Sequence, residues 1–182
     1  MRGRELTILA IGGESLLVVI AVCWWVYRGP SSWPTVVGWQ EDTAIGLAVA
    51  VGFMVTNYIS LRCGPDVLPL RSIRTLYRTS LRPLFADVRL SDVVVISIAA
   101  GIGEELFFRG VLQPEIGLVP ASIVFGLLHM GGRGTFAFGC WVAVMGLALG
   151  MLANFSEGLV GPIVAHSAYD AAAIGYLRWG SS

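Results

Sequence analysis

Lysine is absent from this 182-residue sequence, so its 12 basic side chains are all arginines, balanced by 12 acidic ones. A net charge of zero supplies no electrostatic reason for a nucleic-acid partner, whose phosphates demand surplus cations. Charge of either sign is scarce: 13% of residues carry it, and the mean hydropathy is +0.75. Both values lie outside the range of ordinary soluble domains. The three cysteines, Cys23, Cys63 and Cys140, lack CxxC spacing, which argues against a zinc knuckle or a disulfide framework. Cys23 follows Val22, not a small residue, so a lipoprotein cleavage site is not expected. The first apolar stretch runs through Trp24, Trp25 and Tyr27 without an A-x-A site and reads as an uncleaved anchor with an aromatic belt. No HExxH helix and no Gly-x-Ser-x-Gly elbow occurs, removing the zincin and hydrolase-elbow signatures. No internal repeat or low-complexity linker is visible.

What the sequence does have is length of apolar helix. Spanning hydrocarbon takes about 20 apolar residues. Six segments are expected to do so, roughly Glu5–Tyr27, Asp42–Leu61, Ser91–Val111, Leu118–Met130, Thr135–Phe155 and Leu159–Leu177. The fourth is short and is expected to be kinked or re-entrant. Between the second and third, Leu70, Ile73, Leu76, Tyr77 and Leu81 recur at helical spacing among Arg71, Arg74, Arg78, Arg82 and Arg89. This predicts an interfacial helix with a basic face on anionic lipid, bent or ended at Pro83. The expected architecture is an all-α polytopic membrane bundle of about six transmembrane helices plus that interfacial helix. Residues 1–90 are expected to form anchor spans and the basic segment, with little chemistry of their own, as a platform for a helical core over 91–182. Arg2, Arg4, the six arginines from Arg62 to Arg89, Arg133 and Arg178 fall on one side. Arg28 with Glu41, Asp42, Glu115 and Glu157 falls on the other. The positive-inside rule is expected to place both termini in the cytoplasm.

Both histidines, His129 and His166, sit in apolar stretches, and a third stretch carries Glu104-Glu105 and Arg109. Each ionisable group in hydrocarbon costs about 2.5 kcal/mol or more on insertion scales, so such a set marks a polar site. Arg109 is four residues from Glu105, one helical turn away, and is its natural ion-pair partner. Glu104 is then turned about 100° aside, free to face a cavity and act as general base or acid. Phe125 and His129 share a face. Asp170 lies one turn beyond His166, where it can orient the imidazole or join it as a ligand. Ser167 is discounted as a nucleophile because helix neighbours point apart. At about 1.5 Å per residue, Glu104 and His166 both come about 20 Å from the inner surface. His129 matches that depth less well unless its short helix is displaced.

Glu104-Glu105-x-x-x-Arg109, Phe125-x-x-x-His129 and His166-x-x-x-Asp170, in that order over the last 90 residues, resemble the motifs of the CPBP (Abi) family of CAAX prenyl proteases and bacteriocin-processing proteins. The resemblance implies an intramembrane endopeptidase with a helical core around a polar cavity. It places the catalytic glutamate on Glu104, the catalytic histidines on His129 and His166, and the polar residue of the third motif on Asp170. That last position departs from the more usual Asn. Glu105 is counted with the catalytic set, and Arg109 and Phe125 with substrate binding. No cofactor is favoured, so a glutamate-type peptidase is expected over a metalloprotease. The alternative is a zinc ion on His129, His166 and Glu104 with water as fourth ligand. The expected partners are a peptide or membrane-protein substrate and the lipid bilayer. Two competing functions share these residues: a proton-coupled transporter, disfavoured by the lack of an inverted repeat, and a non-catalytic immunity or scaffold protein.

Overall fold

The computed structural model describes residues 3–29, 34, 38–132, 134–156 and 158–180. Arg2, Arg133 and Glu157, which enter the charge asymmetry, lie outside the described residues. Among those described there are seven helices and no β-strand. They are α1 (Gly3–Arg28), α2 (Trp39–Arg62), α3 (Leu68–Leu76), α4 (Leu90–Phe107), α5 (Leu118–Leu128), α6 (Phe136–Ser156) and α7 (Val160–Trp179). Two carry on through wide π turns. Tyr77–Leu81 extends α3 into Arg82–Leu84, and Phe108–Leu112 extends α4 into Gln113–Ile116. The all-α membrane bundle read from the sequence is thus the architecture of the chain.

Three helices, α1, α2 and α6, are long and apolar enough to cross a membrane by themselves. Their outer faces carry exposed Leu9, Leu16, Val19, Val51, Val55 and Val144, as expected where lipid replaces water. α4 and α7 are of similar length, 18 and 20 residues, but bring the polar motif residues inward. α5 is the shortest of the six, with 11 residues, so it rises only about 16 Å and ends at the position of His129.

α1 lies along α4, α4 along α7, and α7 along α2, while α5 and α6 form a second pair that meets α7 and α3. Between membrane helices there is no hydrophobic drive, so close backbone approach has to supply the packing. Gly126 and Gly139 provide it: the Cβ of either residue would press on the other helix's backbone or on Ala143 and Met130. We therefore expect Gly126→Val to lower the stability of the solubilised protein by about 1–3 kcal/mol, the usual cost of overpacking. The measurement is thermal unfolding in detergent. Gly131, which has open space around it, is the control; equal losses for Val at both positions would refute the crossing as the cause.

The basic segment differs from a plain surface helix. Arg74 turns inward and donates to the carbonyls of Leu61, Ser60 and Gly64, at 2.8, 3.1 and 2.7 Å, closing the C-terminal end of α2. Arg82 donates to Gly180 O at 2.6 Å beyond the end of α7. Arg71 forks onto Asp66 at 3.0 and 2.7 Å, and its hydrogen bonds hold the Asp66 carboxyl below the usual carboxylate range. Pro83 does not end the helix at once; it opens a final turn that closes at Leu84. The apolar face of this segment is not spent on lipid alone, because Tyr77, Leu81 and Phe85 roof a cavity beneath it.

Candidate active site

That cavity, of about 280 Å³, is walled by α3, α4, α5, α6 and α7. Glu104, His129, His166 and Asp170 are its carboxyl and imidazole lining, and Phe125, Phe138, Trp141, Met145 and Leu149 belong to its apolar walls. The helical step that turns Glu104 away from Glu105 aims the first at the cavity and the second into the bundle, where Glu105 is fully buried.

Glu105 has two partners. Oε2 pairs with Arg109 Nε at 3.2 Å, as the i,i+4 spacing predicts. Oε1 accepts from His166 Nδ1 at 2.7 Å, a contact across 61 residues of sequence. A carboxylate only accepts, so His166 Nδ1 carries hydrogen, and its Nε2 turns to the cavity. Nε2 lies 3.6 Å from Glu104 Oε2 and 3.6 Å from Asp170 Oδ2. His129 is placed in the same way by a different acceptor. Its Nδ1 lies 2.8 Å from the carbonyl of Phe125, one turn back. A carbonyl also only accepts, so the proton sits on Nδ1 and Nε2 is left to face Glu104 Oε1 at 3.9 Å. Both imidazoles thus have one nitrogen fixed from behind and the other directed at one carboxylate. The two distances exceed a direct hydrogen bond and suit one water between the groups.

Phe125 is the wall between the two histidines. Its ring centroid is 4.7 Å from that of His129 and 6.0 Å, edge-on, from that of His166. Arg109 stands behind it, with the guanidinium carbon 4.6 Å from the ring centre. Arg109 does not line the cavity; it is buried, pairs with Glu105 and donates to Gly146 O at 3.1 Å. Gln113 repeats that contact one turn on, reaching Gly150 O at 3.0 Å and Asn154 Oδ1 at 2.8 Å. Ser167 lies against Gly101 of α4, away from the cavity.

Four features were not legible in the motifs. Glu14 of α1 folds over Gly103, its Oε2 filling the space a side chain at 103 would take. Tyr77 and Tyr169 line both this cavity and a second one of about 370 Å³ between α2, α3 and α7, which is walled by Met54, Tyr58, Leu61 and Tyr176. Glu105 reaches His166, and Gln113 anchors α4 to α6. A lone acid inside the first span was the only sequence signal for any of these. Among the described residues no group of three or more His, Cys, Asp or Glu is placed to hold a metal ion.

Residues 87–172 match the family model described as type II CAAX prenyl endopeptidase, Rce1-like. A curated protein of Bacillus subtilis (strain 168), the uncharacterized protein YpbD, is 29% identical over 90 residues, covering 50% of this chain and 48% of its own length. The chain thus spans about half the length of the curated relative it matches. No solved structure matches it. The matched segment contains all three motifs and ends two residues after Asp170.

Proposed function

We infer that this chain, whose residues 87–172 match the model of type II CAAX prenyl endopeptidases, is a member of the family of CAAX prenyl proteases and bacteriocin-processing proteins and an intramembrane endopeptidase of the glutamate type. The observation that carries the reading is the convergence of both His Nε2 atoms on the one carboxylate, Glu104, at 3.6 and 3.9 Å. That spacing accepts a water molecule. Glu104 takes its proton, with His129 Nε2, a lone-pair acceptor, holding the water in place. The hydroxide attacks the carbonyl carbon of the scissile peptide. His166, kept in position by Glu105, donates from Nε2 to the oxyanion that develops. Collapse of the tetrahedral intermediate returns the proton from Glu104 to the leaving amine. Asp170 holds His166 in its protonated, donating form. Arg109 serves from behind, pairing with Glu105, while Phe125, in the cavity wall, sets the separation of the two imidazoles.

The apolar walls of the cavity, and the second apolar groove that shares Tyr77, Tyr169 and Ala173 with it, suit a substrate that arrives from the bilayer. It would be a membrane peptide or a lipid-bearing protein terminus entering between α2 and α7. Residues 1–90 are then the platform that holds the 91–182 core in a bacterial cell membrane, both termini in the cytoplasm.

The test is hydrolysis of membrane-tethered peptides in proteoliposomes, read by mass spectrometry of the fragments. Wild type is expected to cleave, and His129→Ala, with its fold verified by unfolding temperature, to lose about 100-fold or more of the rate. Equal cleavage by both proteins would remove His129 from the mechanism. A strong chelator is expected to leave the rate unchanged. Loss of activity with restoration by zinc would replace the glutamate-type scheme by one with His129, His166 and Glu104 as ligands.

A further inference from the structure

The charge of the basic segment is unevenly spent. Arg71 holds Asp66, Arg74 the last carbonyls of α2, and Arg82 the carbonyl of Gly180. Asp66 is the only acid between Arg62 and Ala86, and it is already committed to Arg71 and Arg74. Arg62, in the last turn of α2, and Arg78, in the π turn after α3, are left over. Among the described residues neither of these two guanidinium groups has a counter-charge. Both side chains line a cavity of about 310 Å³, together with Arg74, Arg82 and Tyr176. That cavity adjoins the 370 Å³ groove between α2, α3 and α7, for Leu61, Arg62, Tyr77 and Tyr176 belong to both.

The groove itself suits hydrocarbon. Met54, Val55, Leu61, Ala172 and Ala173 are in its walls, and its one amide, Asn57, reaches Tyr77 Oη at 3.5 Å. α2 is among the helices apolar enough to cross a membrane, so the groove runs along the bilayer interior. Tyr58 and Tyr176 stand edge to face with ring centroids 6.5 Å apart. They lie one turn from the ends of α2 and α7, where such rings mark the headgroup level. Unpaired guanidinium groups at that level call for an anion, and the groove beneath them calls for an apolar chain. A zwitterionic headgroup would bring its own cation against four arginines. We propose that Arg62 and Arg78 hold the phosphate of one anionic phospholipid, an acyl chain of which lies in the groove between α2 and α7. A guanidinium presents parallel N–H donors to two phosphate oxygens, and basic pockets between membrane helices are seats for acidic headgroups. Unlike the general attraction of a basic segment to an acidic surface, this seat requires both the arginines and the groove. It does not rest on the peptidase reading; a substrate entering between α2 and α7 would displace the chain.

The experiment is native mass spectrometry of the full chain in detergent, titrated with phosphatidylglycerol and, separately, with phosphatidylcholine of the same acyl chains. Wild type is expected to retain one phosphatidylglycerol at concentrations where phosphatidylcholine leaves the protein bare. Arg62→Gln/Arg78→Gln should weaken that binding by about 30-fold, the worth of two arginines beside an anionic headgroup. Arg4→Gln/Arg89→Gln removes the same charge from exposed positions outside both cavities and should bind as wild type does. Ala172→Trp, its fold verified by unfolding temperature, fills the groove and should release the lipid although every arginine remains. Equal affinity for the two lipids, or equal loss in the two double variants, overturns the proposal. So does retention of phosphatidylglycerol by folded Ala172→Trp. Displacement of the lipid by inorganic phosphate alone would make this a free-anion site and overturn the lipid assignment. If Ala172→Trp does not fold, the two double variants decide.

Discussion

Glu104→Gln is expected to reduce peptide cleavage by about 10²–10⁴-fold, the range for loss of a positioned general base, while leaving the protein folded. The amide is nearly isosteric and keeps an oxygen for the neighbouring imidazoles, so the cavity of Tyr77, Phe125, His129 and His166 has no cause to collapse. What is lost is the capacity to take a proton from water between Glu104 and the two Nε2 atoms. The loss should appear in kcat, because an interaction made only in the transition state lowers kcat and kcat/KM together. The measurement is steady-state hydrolysis in proteoliposomes with unfolding temperature as control. Cleavage within a few-fold of wild type would refute Glu104 as the base.

The second large effect falls on stability. Arg109→Leu removes the partner of a fully buried carboxylate. Breaking a buried pair from one side costs about 3–5 kcal/mol, since the remaining charge stays desolvated. Glu105 would retain His166 Nδ1 at 2.7 Å, so the imidazole would be drawn further toward it and away from Glu104. Arg109→Leu should therefore lose both thermal stability and activity. The double variant Glu105→Leu/Arg109→Leu should regain much of the stability but none of the activity, because His166 is then held by nothing at Nδ1. Denaturation in mixed micelles and peptide hydrolysis give the two readings. Equal stability for wild type and Arg109→Leu would dismiss the pair as a structural element.

How much of this was legible depends on the range of each signal. Local rules worked where contacts are local: the Glu105–Arg109 pair follows from i,i+4 spacing, and the three helices long and apolar enough to cross a membrane follow from their composition. The exposure of Glu104 to a cavity follows from its place one helical step before Glu105. Contacts between helices carried no such signal. Nothing within the sequence links Glu105 to His166, 61 residues on, or ties Arg74 to the last carbonyls of α2. Residues 1–90 read as a passive platform because Glu14 sits alone in its span, with no periodicity to show which face it occupies. Its place against Gly103 depends on the packing of α1 on α4, which no local pattern encodes. The π turns at Tyr77–Leu81 and Phe108–Leu112 have no residue signature and stayed invisible.

The second of those wide turns has a geometric consequence. In a straight α-helix, positions four apart drift around the axis by about 40° each time, so residues 105, 109 and 113 would fan out and no parallel neighbour could receive them all. Spreading one circuit over an extra residue sets back that drift. It lets Arg109 and Gln113 descend the rungs of Gly146 and Gly150 in step. A local loosening of the coil thus acts as a phase corrector, locking α4 lengthwise to α6 so that the acidic end of the rail cannot slide relative to the wall that faces it.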